Sequence, residues 1–113
     1  MSVDETNKID RTAWDKDKTR VWLVISDHLD WKAEEGEHLL LLQEKINTYL
    51  HFIESGKLVE TLPWADGLPV TIRIYGKFPL SREAARFLDL VKQKLETIGV
   101  SIEFKIFSPK NQL

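Results

Sequence analysis

The chain has 113 residues, of which 42% are hydrophobic and 30% charged, with a formal net charge of −2 and no cysteine. Residues 1–113 are therefore expected to form one domain with the composition of an ordinary globular protein. The lack of cysteine excludes disulfides, thiolate zinc sites and cysteine nucleophiles. The small negative charge argues against a general nucleic-acid-binding protein, which normally carries excess Lys and Arg.

No stretch approaches the roughly 18 consecutive apolar residues that a membrane span requires, and the first ten residues, MSVDETNKID, lack the apolar centre of a signal peptide. We therefore expect a cytoplasmic protein that does not bind membranes. The charge is unevenly distributed, because residues 1–66 carry 8 basic and 14 acidic side chains whereas residues 67–113 carry 8 basic and 4 acidic ones. Such asymmetry can steer a partner, or the two halves can compensate each other within one molecule.

The first predicted elements are two strands joined by a turn. Residues 9–14 alternate weakly, residues 15–18 (DKDK) form a polar turn, and residues 20–26 alternate strongly. Apolar side chains fall on both faces of the second strand, which favours an interior position in a sheet. Residues 1–7 show no pattern, and we expect them to be flexible.

A long helix is predicted over residues 37–55, because apolar residues recur there at steps of three and four. Its stripe consists of Leu39, Leu42, Ile46, Tyr49, Leu50 and Ile53. Gly56 is expected to end the helix, since glycine adopts the left-handed conformation without steric cost. Residues 57–62 that follow are predicted to form a short edge strand, cut off by Pro63.

The second half of the chain predicts a strand, a helix and a strand. Residues 70–75 alternate, Ser81 is placed as the N-cap of a helix that ends at Gly99, and residues 100–107 alternate most regularly of all. The buried stripe of this helix is predicted to contain Ala84, Phe87, Leu88, Val91 and Leu95. Residues 109–113 are polar and expected to be flexible.

The order β-β-α-(β)-β-α-β predicts an α+β fold, a two-layer sandwich with about four strands in a mixed sheet and two helices on one face. The expected strand order is 1-2-3-4 with the first strand antiparallel. Pairing of the third strand beside the first is the alternative.

The sheet face away from the helices is the first candidate site. Parallel strands are usually covered on both faces, yet the last two major strands alternate as if one face met solvent. The residues predicted to bind a partner there are Trp14, Trp22, Arg73, Tyr75, Lys105 and Phe107. Tryptophan, tyrosine and arginine are favoured at interface centres, so we expect a homodimer or another protein partner. The alternative is that the N-terminal residues, the 57–69 segment or the stems of Arg and Lys cover the rings.

The second candidate site is a group of histidines and carboxylates at the entrance to the long helix. Asp27, His28, Asp30 and His38 could bind a small ligand or a divalent metal ion. Their spacing matches no established metal motif, and a solvated helix entrance is the favoured interpretation. His28 with Asp27 or Asp30 could form an acid/base pair, but no nucleophile is specified beside it. We therefore assign no catalytic residue and expect no cofactor.

Four segments carry a resemblance to a known family: residues 25–31 (ISDHLDW), 37–50 (EHLLLLQEKINTYL), 52–56 (FIESG) and 72–74 (IRI). In these segments the chain resembles an uncharacterised bacterial family, a domain of unknown function. The resemblance covers nearly the whole chain. It implies a small bacterial cytosolic protein and assigns no activity to any residue.

Three hypotheses about function follow from the sequence. The favoured one is an interaction module that self-associates or binds a protein through its sheet. The second is a small-ligand or metal-binding protein, potentially an enzyme, with its site in residues 27–38. The third is an inhibitor or immunity protein that shields a toxin, which no residue distinguishes from the first.

Overall fold

The computed structural model of the chain describes residues 2–107. Its elements are β1 (Arg11–Trp14), β2 (Val21–Asp27), α1 (Glu35–Glu54), α2 (Lys57–Thr61), a 3-10 turn (Pro63–Ala65), β3 (Val70–Gly76), α3 (Arg82–Glu96) and β4 (Val100–Ile106). The four strands form one sheet in the order β1-β2-β3-β4. β1 is antiparallel to β2, while β2, β3 and β4 are mutually parallel. The predicted α+β class and strand order are confirmed.

The core lies between one face of the sheet and the helices. The register aligns Leu23 with Ile72 and Ile72 with Ile102, so the core positions of the three parallel strands share one face, while the buried Val24 lies on the other. The same core cluster contains the following side chains of α1 and α3: Leu42, Ile46, Tyr49, Ala84, Leu88 and Leu95. Both long helices therefore cover the same face, as the order of the elements predicted.

Local signals set the ends of the helices. Ser81 caps α3, because its side-chain oxygen accepts a hydrogen bond from the backbone N–H of Ala84 at 3.1 Å. Gly56, with φ of +86°, turns the chain out of α1 in the left-handed conformation. Both predictions are confirmed.

The predicted edge strand over residues 57–62 is wrong, since α2 occupies this segment. The backbone N–H of Leu62 donates to the carbonyl of Leu58 at 2.8 Å, which is a helical bond. Leu58 is only 2% exposed. A four-residue spacing of leucines suits one face of a helical turn, and this short segment offered no alternation to favour a strand.

The N-terminal segment is tied to the domain. Val3 is fully buried, and its N–H donates to the carbonyl of Ser26 at 2.8 Å. Lys45 Nζ donates to the carbonyls of Glu5 and Lys8 at 2.6 and 2.7 Å. The expected flexibility of residues 1–7 is therefore not supported for residues 2–7. Residues 109–113, also expected to be flexible, lie outside the described residues.

Gly76 allows a close contact at the end of β3. A Cβ atom at this position would lie 2.5 Å from Cε2 of Phe104 and 3.2 Å from the carbonyl oxygen of Phe78. The ring of Phe104 therefore occupies the space that any larger residue at position 76 would need. This contact holds the last residue of β3 against β4 at the carboxyl ends of the parallel strands, near the candidate sites.

Candidate functional site

The sheet face opposite the helices is built by the alternate residues of the four strands. The register aligns Trp22 with Thr71 and Ser101, and Val24 with Arg73 and Glu103. We call this surface the open face, because within residues 2–107 the helices contribute their buried side chains to the opposite side. Its charged and aromatic members are Arg11, Arg20, Trp22, Arg73, Tyr75, Glu103, Lys105 and Phe107.

Arg73 organises the centre of the open face. Its guanidinium carbon lies 5.0 Å from the centre of the Trp22 ring and 5.8 Å from that of the Tyr75 ring. Its Nε donates to Glu103 at 2.8 Å, and its Nη1 approaches the Tyr75 hydroxyl at 3.3 Å. These contacts hold the guanidinium between two aromatic rings and one carboxylate, where cation–π attraction and the ion pair act together.

The rings on the open face differ in how far they meet solvent. Phe107 is 48% exposed and meets Tyr75 edge to face, with ring centres 6.5 Å apart. Trp22 and Tyr75 are half-buried, and the guanidinium of Arg20 lies 5.9 Å from the centre of the Trp22 ring. The guanidinium groups of Arg20 and Arg73 thus both lie over the Trp22 ring, which is part of what the alternative to an open aromatic surface described.

The placement of Trp14 on the open face is wrong. In the antiparallel pair Trp14 is opposite Val21, so its side chain leaves the sheet on the helix side. Its ring meets that of Trp64 at 5.2 Å, near perpendicular. A shift of one residue in the hairpin register reverses every face, and six residues separate the two strands here. The other five predicted partner-binding residues lie on the open face.

The charges of the open face are predominantly positive. Arg73 is paired with Glu103, whose carboxylate is the acidic group of this surface. Arg11, Arg20 and Lys105 are exposed, and no side-chain ion pair within residues 2–107 neutralises them. The nearby carboxylate of Asp15 accepts bonds from the Thr19 hydroxyl and from the N–H groups of Thr19 and Arg20, and these bonds lower its pKa.

In the second candidate site, Asp27 and His38 form a buried pair. His38 Nε2 lies 2.7 Å from both carboxylate oxygens of Asp27, and each residue is 3% exposed. Trp31 stacks on the imidazole with ring centres 3.4 Å apart, and the N–H of Leu29 donates to Asp27 at 3.1 Å. The pair joins the last residue of β2 to the first turns of α1. Within residues 2–107, Nδ1 of His38 has no hydrogen-bond partner.

The four residues predicted as a ligand or metal site do not converge. His28 is exposed, and Asp30 accepts from the N–H of Lys32 at 2.9 Å in its own turn. In the described part of the chain no group of three or more His, Asp or Glu side chains is arranged to hold a metal ion. The acid/base pair that His28 could have formed with Asp27 is not present: the Asp27 carboxylate contacts His38, which the start of α1 at Glu35 turns inward. The spacing of His38, Leu42 and Lys45 was the signal available in the sequence.

A cavity of about 420 Å³ lies at the carboxyl ends of the parallel strands. It is lined by Ser26, Asp27, His28, Tyr75, Lys77 and Phe107. Tyr75 and Phe107 of the open face therefore line the same cavity as Asp27 and His28 of the second candidate site. Crevices outside the carboxyl ends of parallel strands are where open α/β sheets commonly bind ligands.

Over residues 1–108 the chain matches a family described as a family of unknown function, DUF6572. The chain belongs to this family. The resemblance to a family of unknown function is thereby confirmed, and it assigns no activity. No curated protein and no solved structure matches the chain.

Two further observations bear on what this DUF6572 protein can do. Within residues 2–107, no helix combines the length and the apolar character needed to cross a membrane. The Asp27–His38 pair is largely buried, with each residue 3% exposed and Trp31 stacked on the imidazole, although His38 lines a cavity of about 280 Å³ beside Leu29 and Glu34. Accessible aromatic and cationic groups lie instead on the open face.

Proposed function

We propose that this protein is a small bacterial cytosolic interaction module that binds another protein through its open face. The observation that carries the proposal is the cluster of Trp22, Arg73 and Tyr75, with the exposed Phe107 beside it. Tryptophan, tyrosine and arginine dominate the energetics of protein interfaces, because each buries a large area while keeping a polar group.

The cluster is already ordered before a partner arrives. Arg73 has two partners within hydrogen-bond distance, Glu103 and Tyr75, and it packs on Trp22. Immobilising a free arginine on binding costs roughly 0.5–1.5 kcal/mol, and a side chain held in place avoids much of this cost. The helices close the other face of the sheet without any contribution from this cluster. The ordered arrangement of Arg73 therefore supports a role in binding over a purely structural one.

The topology supports the same proposal. β2, β3 and β4 are parallel, and parallel strands are commonly covered on both faces. Here the helices cover one face, while the 57–69 segment lies near Trp14 on the helix side through Trp64. A partner would supply the second layer.

The proposal is tested by sedimentation at micromolar concentration and by photo-crosslinking from position 101, which is exposed on the open face. We expect the complex, with a second copy or with another protein, to be lost in Trp22→Glu. The matched control is Leu90→Glu, which places the same charge at a position of α3 that is 61% exposed. A complex that survives Trp22→Glu and is lost in Leu90→Glu would place binding on the helices and reject the proposal.

The cavity beside Tyr75 and Phe107 supports a second candidate, binding of a small molecule. Its lining combines aromatic rings with the cation of Lys77, which suits an aromatic anion. Naphthalene-2-sulfonate and its neutral sulfonamide form a matched pair of probes for titration of ¹⁵N-labelled protein. Shifts confined to this cavity, weaker for the sulfonamide and for Lys77→Gln, would favour a ligand-binding role. Equal, dispersed shifts would reject it.

A further inference from the structure

We infer that the partner of the open face is an acidic protein surface and not a second copy of this chain. The inference rests on the proposed function and narrows it to one class of partner. It follows from the arrangement of charge around the cluster of Trp22, Arg73 and Tyr75.

Three cations of the open face are unmatched. Arg11 and Lys105 lie on the two edge strands of the sheet, and Arg20 precedes the central strand β2. These three side chains are exposed and have no ion-pair partner within residues 2–107. They surround the Trp22–Arg73–Tyr75 cluster on three sides. An apolar centre with a charged rim is the usual arrangement of an interface, and the sign of the rim selects the partner.

Three carboxylates on or beside the open face already have partners within the domain. Glu103 accepts from Arg73, and Asp15 accepts from its own turn. Asp10 is held by Lys45 at 2.7 Å and by the N–H of Ser26 at 3.0 Å. These three carboxylates therefore do not neutralise Arg11, Arg20 and Lys105, and within residues 2–107 the exposed Asp17 of the hairpin turn forms no ion pair with them.

Two other occupants fit the open face less well, a second copy of the chain and a single-stranded nucleic acid. A two-fold contact of the open face with itself would place three unmatched cations of one copy against three of the other, and such like-charge contact opposes association. A single-stranded nucleic acid binds by stacking bases on exposed rings. Arg20 and Arg73 already lie over the Trp22 ring, so Phe107, at 48% exposure, is the ring of this face that a base could stack on. An acidic protein surface matches the rim without displacing these contacts.

The test uses the full chain, labelled with ¹⁵N, and two peptide probes of identical length. One is an oligomer of Glu with a central Phe and Leu, and in the other every Glu is replaced by Gln. We expect the acidic peptide to shift amides on the open face and to bind at least about tenfold more tightly than the Gln peptide. This preference should fall as salt is raised.

Two double variants with the same change in net charge locate the effect. Arg20→Glu with Lys105→Glu alters the open face, and Arg86→Glu with Lys92→Glu alters exposed cations on α3. We expect the first to abolish the preference for the acidic peptide and the second to leave it unchanged. Equal losses in both variants would show attraction to overall charge and would overturn the inference.

The outcomes also separate this inference from the proposed function. A dimer that is lost in Trp22→Glu, or tighter binding of oligo-dT than of the acidic peptide on this face, would overturn the acidic partner. The dimer would leave the proposed interaction role in place. Shifts and crosslinks that all map to the helices would reject both.

Discussion

Nε2 of His38 lies within 2.7 Å of both carboxylate oxygens of Asp27, and the two residues are almost fully buried. The contact joins the end of β2 to the start of α1, the helix whose buried side chains line the core. With Trp31 stacked on the imidazole, it fixes where the helix layer begins. It also makes Asp27 and His38, two of the four candidate ligand residues, part of the packing between β2 and α1, while His28 and Asp30 stay exposed.

His38→Ala is expected to destabilise the domain strongly, because it leaves the Asp27 carboxylate buried with only the N–H of Leu29 as a partner. Breaking a buried pair in this way costs about 3–5 kcal/mol. Asp27→Asn keeps a polar partner for the imidazole, so we expect the unfolding free energy to fall by only about 1–2 kcal/mol. Urea unfolding followed by tryptophan fluorescence measures both. Equal, small effects would mean that the pair carries little of the stability.

Lys45→Met is expected to release the N-terminal segment. Lys45 is fully buried, and its ammonium group binds Asp10 and two backbone carbonyls. Its loss leaves the Asp10 carboxylate uncompensated, at a cost of about 3–5 kcal/mol. Amide exchange should accelerate at residues 3–10 more than in β3. Addition of Asp10→Asn should recover part of the loss, and exchange unchanged at residues 3–10 would contradict the role of Lys45.

The sequence predicted the strands and their faces where alternation was regular. Val70, Ile72 and Ile74 face the core, and Arg73 and Tyr75 face away from it, because a period of two leaves one arrangement once one face is buried. The helices were predicted for the same reason at their own period. Capping by Ser81 was readable because it depends on residues close in the chain.

The failures concern contacts that depend on register or on distant backbone. The face of Trp14 depends on the pairing across the hairpin, which six intervening residues do not specify. Lys45 sits in an apolar stripe, and carbonyls some 40 residues away make its burial favourable. The pairing of His38 with Asp27 likewise needed the exact start of α1, which no side-chain cap marks at Glu34.

Tyr49 predicts a loss of stability at alkaline pH. Burial raises the pKa of its phenol well above the ordinary value, since the phenolate is disfavoured in the core. The folded pKa exceeds the unfolded one, so this contribution is complete below about pH 10 and is lost as pH rises further toward the folded pKa. The unfolding free energy should therefore fall more steeply above pH 10 in the natural protein than in Tyr49→Phe.

The same variant should be less stable near neutral pH. The Tyr49 hydroxyl donates to the carbonyl of Val24 and accepts from the N–H of Asp10 at 2.8 Å. Leaving these buried groups unpaired costs about 1–3 kcal/mol. Parallel alkaline curves for the two proteins would show that Tyr49 does not titrate on unfolding.

Gly76→Ala is expected to destabilise the domain by about 1–3 kcal/mol, because the new methyl group meets the ring of Phe104. Phe104→Leu should relieve the collision, so the cost of Gly76→Ala should be smaller in that background. Gly36→Ala is the control, since nothing lies within 4 Å of a Cβ there. That helical position should gain up to about 1 kcal/mol. Additive effects at positions 76 and 104 would exclude the contact as the cause.

Arg73→Lys separates binding from stability at the open face. The Arg73 and Glu103 side chains are 21% and 33% exposed, and solvent-screened pairs contribute about 0–1 kcal/mol, so urea unfolding should change little. Lysine carries one compact ammonium group, which cannot reproduce the planar contacts with Trp22, Tyr75 and Glu103 together. Binding of a partner protein, or of the acidic peptide, should therefore weaken about tenfold or more while the fold persists. A variant that binds normally would show that the Arg73 cluster lies outside the interface, because its geometry would then be dispensable for recognition.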